Sequence, residues 1–532
     1  MPGNNYDTII VGGGIAGLTA AAYLSREKQK VLLIEKNREF GGLVNSFSHQ
    51  GFHFDAGVRA LEDAGIILPM LKELGIRIEF VKSPVSVGIE NEVLNIENLE
   101  SLSEYSELLK KFYPESEEDI DRVIKSIRKI MKDMDVLYGI ENPVFKDLKR
   151  DRAFIFKKLL PWLPRFIFTV RKINRLNMPV EDYLGKIVKD PSLRDIISQH
   201  FFKNTPTFFA MSYFSLYLDY FYPRGGVGKL SEALKNKILE WGGEIKPGTK
   251  ITEVIANKCL LKDHEKTGYR YDQLIWATDL KTFYQITDTQ GLPSGIRTKF
   301  EDAKSRMMRC RGGDSVFTLF LEVDKPLENF RKIAHGHFFY TPSKLGLGET
   351  HRQELNNILN IPGKIEKKKI LTWLDKFTRL NTYEISIPGL KDPDLVPEGK
   401  TGLIISFLAE YDLFNRIRED GWYEEFNAEL ENRIINVISG SIYPGLKDKI
   451  IGSFSFSPLS IENRVGSSEG AITGWSFQSP VPVVNKIQIS DRSVYTPIPS
   501  VFQAGQWAYS PAGVPMSILT GKLAADKVLK QK

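Results

Sequence analysis

An α/β fold built on a parallel sheet is what three features of the sequence predict. The first is Tyr6-Asp7-Thr8-Ile9-Ile10-Val11, a short apolar run rich in β-branched residues that passes directly into Gly12-Gly13-Gly14-Ile15-Ala16-Gly17. This order reads as strand, tight turn and helix start. The second is another buried run, Val31-Leu32-Leu33-Ile34, ended by Glu35. The third lies at the far end of the chain, where Val501-Phe502-Gln503-Ala504-Gly505 reads as a strand ending in glycine and Pro511-Ala512-Gly513-Val514-Pro515 opens a helix running to Leu529.

The N-terminal spacing has a physical purpose. The helix from residue 15 to about 27 carries Ala16, Gly17, Ala20 and Ala21, small enough to lie close against a sheet. Gly12 permits the sharp turn, Gly14 lets backbone N–H groups approach a pyrophosphate at the positive end of the helix, and Gly17 allows close packing of helix and strand. Glu35 falls about 20 residues on, where a carboxylate accepts hydrogen bonds from ribose hydroxyls. A glycine-rich turn alone carries little weight; with strand before, helix after and acid at the end of the next strand, it predicts a dinucleotide site.

At 532 residues the chain exceeds one small domain, and roughly two to four are expected. The net charge of +6 is mild and gives no reason to expect nucleic acid. Two cysteines, Cys259 and Cys310, form no metal-binding pattern and fit a reducing cytoplasm. Residues 1–5 lead straight into the first strand, which leaves no room for a signal peptide. No apolar run reaches the roughly 18 residues of a membrane span. The expectation is a cytoplasmic protein that meets a membrane, if at all, from one side.

Further along, Phe52-His53-Phe54 has strand character, and residues 101–140 are helical, with the acids Glu115, Glu117 and Glu118 opening a second helix. Residues 151–176 carry seven cations against one acid, Asp151, interleaved with Trp162 and many Phe, Leu and Ile residues. Pro161 and Pro164 are expected to break this stretch into short pieces. Cations mixed with bulky apolar residues suit a one-leaflet contact with anionic membrane, and equally a solvated basic edge over a core. Residues 200–222 are dense in aromatics, with Thr205 as cap and Pro206 at the first helical position. Phe209, Tyr213, Tyr217, Tyr220 and Tyr222 are either core or the wall of a long apolar tunnel. His335-Gly336-His337 has no third ligand at chelating spacing, so no metal is expected. Residues 344–380 read as a charged helical insertion.

Several of these stretches resemble the FAD-dependent amine oxidase superfamily, in which a glutamate followed by a glycine pair wraps the cofactor, here Glu35, Lys36, Gly41 and Gly42. Residues 50–57, QGFHFDAG, look specifically like the phytoene desaturase, carotenoid isomerase and retinol saturase group. So do Tyr222-Pro223-Arg224-Gly225-Gly226-Val227-Gly228, the turn-rich link at residues 387–400, and the segments around Ser457-Pro458-Leu459 and Gly474-Trp475. Leu43 stands where relatives carry arginine or serine, and Gln506 where an acid is common. The resemblance spans nearly the whole chain apart from the insertion.

It implies a Rossmann-like FAD-binding domain of the amine oxidase type, from residues 1–80, 223–300 and 491–532, with an interleaved α+β substrate domain from residues 81–222 and 301–490. The cofactor contacts it implies, beyond those already named, are Ile15, Ala16, Leu43, Gly57, Val58, Val254 beside the adenine, Ala277 and Thr278 under the cofactor, Gly505, Gln506, Gly513, Val514 and Pro515. Asp55 and Arg59 flank Gly57, which belongs near the isoalloxazine, while Trp507 and Tyr509 approach from the other end of the chain. Arg59, Trp507 and Tyr509 are therefore the catalytic candidates, although an arginine at 59 could equally bind phosphate or pair with Glu62.

Chemistry at a C=C bond needs a hydride acceptor or donor, alignment and exclusion of water, which suits a sequence with no convincing triad. The function implied is desaturation, saturation or isomerisation of a hydrophobic isoprenoid. No second GxGxxG lies between strand and helix, so the electron partner is expected to be quinone, oxygen or another protein. Two alternatives stand beside this: a flavin amine oxidase, and a non-catalytic prenyl-lipid carrier resembling the GDP dissociation inhibitors.

Overall fold

Strand Asn5–Val11 runs parallel to Val31–Ile34 on one side and to Gly268–Trp276 on the other, with Ile10 in register with Leu33 and Ile275. The computed structural model describes residues 5–147, 150–477 and 480–531. Glu244–Lys246 extends the parallel set beyond Val31–Ile34, and Val501–Gln503 pairs parallel with Gly268–Trp276. Leu260–Asp263 and Ile251–Ile255 continue the sheet antiparallel, and Thr287–Asp288 ends it. The predicted α/β class holds.

Both faces are covered at the centre of this sheet, which is why residues 9–11 and Val31–Ile34 are apolar without alternation. Ile10 belongs to a core with helices Ile15–Arg26, Gly228–Glu240 and Val514–Lys530, whereas Ile9 and Val11 face the opposite core with Trp276, Phe283 and Phe300. The first and last long helices touch: a Cβ added at Gly521 would stand 2.4 Å from the Ala16 carbonyl oxygen. The two ends of the chain thus share one core.

A second, mixed sheet has seven strands in the order Ile450–Phe456, Ser315–Val323, Thr401–Ala409, Tyr383–Ser386, His337–Thr341, Val85–Ile89 and Glu92–Ile96. Only His337–Thr341 and Val85–Ile89 pair in parallel. Helices Lys367–Leu380, Tyr411–Glu419 and Tyr423–Gly440 share one core with this sheet. Ser101–Phe112 and Glu117–Tyr138 share another with its far edge.

Two local expectations need correction. Residues 152–176 are not cut into short pieces, because helix Leu160–Ile173 runs through Pro164, preceded by a single wide turn at Ile155–Leu159. Pro161 lies in the first turn, where a missing N–H needs no partner, and Pro164 forgoes one bond near that same end. Lys172 Nζ, 2.7 Å from Asp133 Oδ1, and the Trp162 indole, bonded to the Val136 carbonyl, pin the helix to Glu117–Tyr138. Thr205 does not cap a long helix: its hydroxyl donates to the Phe202 carbonyl at 2.6 Å, and two short helices follow, Thr207–Ala210 and Tyr213–Asp219. The break falls at Ser212, whose hydroxyl bonds the Phe209 carbonyl at 2.7 Å in competition with the backbone.

Candidate active site

A cavity of about 590 Å³ opens where Asn5–Val11, Val31–Ile34, Gly268–Trp276 and Val501–Gln503 reach their C-terminal ends. That crevice is where open α/β sheets bind ligands. Gly12 makes the turn at φ +110°, and a Cβ on Gly17 would stand 1.9 Å from the Gly12 carbonyl oxygen. These two glycines let helix Ile15–Arg26 begin beneath the cavity. Gly14 differs: no heavy atom lies within 4 Å of the position its Cβ would take, and it lines the cavity. Glu35 accepts hydrogen bonds from the backbone N–H groups of Gly13 at 2.7 Å and Asn37 at 2.9 Å, which orients its carboxylate at the cavity wall.

Of the predicted cofactor residues, Gly12, Gly14, Ile15, Ala16, Glu35, Gly41, Gly42, Leu43, Gly57, Val58, Ala277, Thr278, Gly505, Gln506, Gly513, Val514 and Pro515 lie together on this wall. Three do not. Gly17 is buried below the turn, Lys36 reaches the Asn463 carbonyl at 2.9 Å, and Val254 packs in the sheet core. Gln506 turns its amide toward the Ala471 carbonyl, 3.3 Å away.

A second cavity of about 670 Å³ shares Phe202, Tyr213, Tyr220, Val316, Glu384, Ser406 and Ile472 with the first. Tyr213 and Tyr220 therefore stand where the two adjoin, and Phe209 lines the first. Tyr217 faces a smaller space with Tyr105 and Phe214. Tyr222 lines neither large cavity: its hydroxyl donates to Asp55 Oδ2 at 2.8 Å, at zero exposure. The far wall of the second cavity comes from the insertion, where the rings of His351, Trp373 and Phe377 stack at successive separations of 4.8 Å.

Arg59 is buried at the junction. Its guanidinium bonds the Asp55 carbonyl and, at 3.2 Å, Ser406 Oγ, and the Lys391 ammonium donates to the Arg59 carbonyl at 2.7 Å. It makes no pair with Glu62. Trp507 lines the cofactor cavity, set by Trp475, whose indole N–H donates to the Trp507 carbonyl at 2.9 Å. Tyr509 is buried outside the cavity wall.

Sequence reasoning missed Glu384 altogether, and it named His337 and Glu62 without giving either a role at this site. His337 Nε2 lies 2.9 Å from Glu384 Oε1, and the Tyr220 ring stacks on the imidazole at 5.4 Å. Burial alone would raise the Glu384 carboxyl; the hydrogen bond to His337 and the charges of Arg59 and Lys391 outweigh it and hold the group below its ordinary value. Burial lowers Lys391 to about 8. Glu62, on the cofactor cavity wall with no charged partner, is raised by burial to about 7. Nothing local in the sequence marks these residues, since His337 and Glu384 meet only through the antiparallel pairing of their strands.

The profile of flavin-containing amine oxidoreductases matches residues 15–529. The chain belongs to this family. Its cofactor is FAD and it is an oxidoreductase; the open cradle over Gly14, Glu35 at the end of the second strand, and Gly513 at a helix start are a donor set suited to pyrophosphate, ribose and ring edge.

Among family relatives, the chain is 21% identical to the all-trans-retinol 13,14-reductase of Danio rerio over 94% of its own length and 82% of the relative's. It is 24% identical to prolycopene isomerase 2 of an Oncidium hybrid cultivar, covering 84% and 71%. With the neurosporene-forming phytoene desaturase of Rhodobacter capsulatus it shares 21% identity over 98% and 93%. A crystallographic variant of putrescine oxidase superposes with a TM-score of 0.63 over the full length of both chains at 14% identity, which speaks for the fold.

Proposed function

We propose that the enzyme desaturates, saturates or isomerises C=C bonds of a hydrophobic isoprenoid or carotenoid-like substrate. Residues 1–80, 223–300 and 491–532 hold the FAD, and residues 81–222 and 301–490 hold the substrate. The observation that carries this reading is the wall shared by the cofactor cavity and the second cavity, in which Phe202, Tyr213 and Tyr220 line both spaces. Such a slot holds a long apolar chain by its faces and excludes water from the reacting bond. Relatives named for retinol reduction, prolycopene isomerisation and phytoene desaturation support the same substrate class. When bound, the flavin supplies two-electron chemistry, with a quinone, oxygen or a protein as the outside electron partner.

The test is anaerobic incubation of the yellow protein with all-trans-retinol, prolycopene or phytoene, following flavin absorbance and product mass. A loss of two mass units reports desaturation, a gain of two saturation, and unchanged mass with altered retention isomerisation. Amine-dependent peroxide production, or no reaction with any of the three, overturns the reading. A colourless protein that still binds prenyl lipid would favour a carrier.

We further propose that helix Leu160–Ile173 and the turn before it rest on anionic membrane. Phe156, Leu160, Leu163, Ile167 and Phe168 are between 41% and 71% exposed; the first four recur at the spacing of a single helical stripe, and Phe168 widens it on one side. Lys157, Lys158, Arg165 and Arg171 flank it. That is the composition of an interfacial helix lying in the headgroup plane. Among the described residues no helix is long and apolar enough to span a bilayer, and none of residues 152–176 lines either large cavity. The helix is thus proposed as a docking surface and not as part of the cavity lining. Flotation with phosphatidylserine vesicles should be lost when Lys157, Lys158, Arg165 and Arg171 are replaced by Glu; unchanged flotation would remove the proposal.

A further inference from the structure

We propose that Glu62 is the residue that moves the proton in the C=C reaction, an assignment that rests on the oxidoreductase reading above. The geometry points to it first. Leu61 is clamped to Phe221 by two backbone hydrogen bonds of 2.9 and 3.0 Å, so the chain at Glu62 is fixed while its side chain reaches the cofactor cavity. One carboxylate oxygen stands 4.0 Å from the position of a Cβ built on Gly513, at the start of helix Val514–Lys530. Tyr213 and Tyr220, which line both cavities, feel its charge. Glu62 therefore stands on the cofactor cavity wall, near the start of helix Val514–Lys530 and near the residues that the two cavities share.

Its surroundings leave it free for this task. Among the described residues Glu62 makes no hydrogen bond and no ion pair; Arg59, the adjacent cation, is turned toward the Asp55 carbonyl and Ser406. The titratable groups that feel its charge are Tyr138, Tyr213 and Tyr220, phenols that are neutral at physiological pH and that burial moves further from ionising. No donor or cation here compensates the carboxylate, so the carboxyl is raised to about 7, where proton delivery and uptake are both feasible near neutral pH. Glu384, which lines both cavities, is held below its ordinary value by His337, Arg59 and Lys391. The two carboxyls are driven apart in this way, and the one placed to exchange a proton near neutral pH is Glu62.

The balance is complete with the known cofactor class. When two hydrogens leave adjacent carbons, one departs with its electron pair to oxidised flavin and the other departs as a proton to the Glu62 carboxylate, and the double bond forms from the electrons of the second C–H bond. Saturation is the reverse, with the proton given by the Glu62 carboxyl.

The test compares wild-type holoenzyme with Glu62→Gln and Glu62→Asp. An infrared pH titration should show a protonated carboxyl band that disappears with a midpoint near 7 in wild type and is missing in Glu62→Gln. With the folded value above the unfolded one near 4.3, the folded state holds the extra proton in that window, so wild-type stability falls as pH rises from about 4.3 to 7. That fall should flatten in Glu62→Gln. The rate of flavin reduction or reoxidation with all-trans-retinol, prolycopene or phytoene should drop about 100-fold or more in Glu62→Gln, lose its inflection near 7, and recover partly in Glu62→Asp, with the FAD absorbance spectrum unchanged. An unaltered rate and pH profile in Glu62→Gln overturns the assignment alone. A carboxyl already ionised at pH 5 does the same, and wild-type flavin inert toward every isoprenoid overturns the functional reading with it.

Discussion

Gly14→Val should give a folded protein that purifies colourless. The backbone at Gly14 is extended, with φ −71° and ψ 176°, a conformation that suits a β-branched residue. No heavy atom lies within 4 Å of the new Cβ, so the substitution meets no protein atom at that position. The valine methyls instead fill the cradle at the helix N-terminus, where the pyrophosphate has to approach the backbone N–H groups. Losing that approach should weaken FAD binding by at least about 100-fold, close to 3 kcal/mol. Circular dichroism with a fluorescence titration of FAD separates folding from binding. Gly17→Val is the control with the opposite signature, because its Cβ meets the Gly12 carbonyl oxygen at 1.9 Å and the helix cannot seat on the sheet. A Gly14→Val protein that stays yellow at full stoichiometry would show that the cofactor does not lie over this turn.

Asp55→Ala should be the most destabilising single change at the junction. Asp55 is 1% exposed and accepts from Ser46 Oγ at 2.8 Å, the Tyr222 hydroxyl at 2.8 Å and the Val227 N–H at 3.1 Å. One carboxylate thus joins the hairpin of residues 46–55 to the glycine turn after Tyr222. Asp392, in the turn-rich link, holds the same glycine turn from another side by accepting from the Gly225 N–H at 2.8 Å. Truncating Asp55 strands buried donors and leaves Arg59 and Lys391 with less counter-charge. Removing one partner from such a buried network costs about 3–5 kcal/mol. The midpoint of urea unfolding, followed by tryptophan fluorescence, should fall well below that of wild type, with Asp55→Asn in between because it keeps one carbonyl acceptor. A wild-type midpoint for Asp55→Ala would mean that the carboxylate does not tie these segments together.

Short-range physics made much of this protein legible before any coordinates. The spacing of Gly12, Gly14 and Gly17 is a steric statement about one turn. The apolar run at residues 6–11 is a statement about a strand with two covered faces. The helical character of residues 101–138 follows from periodicity within a dozen residues, and the family resemblance follows from motifs of similar length. Where the local signal competed with packing, it failed: Pro164 suggested a break that contacts with Val136 and Asp133 override, and Thr205 suggested a cap that its bond to Phe202 removes.

The polar chemistry of the junction belongs to tertiary structure alone. Tyr222 reads as tunnel wall within its aromatic stretch, yet its hydroxyl is committed to Asp55, 167 positions away. Glu384 and His337 become a pair because two strands run antiparallel, and Glu62 acquires its raised carboxyl because folding buries it without a pairing cation or donor. The insertion at residues 344–380 carries no motif, and only its placement against the mixed sheet reveals it as the end wall of the slot. Sequence determined which backbone could cradle a dinucleotide, since that depends on steric spacing between near neighbours. Which side chains act beside it was decided by folding, since desolvation and Coulomb partners are set by groups that only the closed structure brings within a few ångströms.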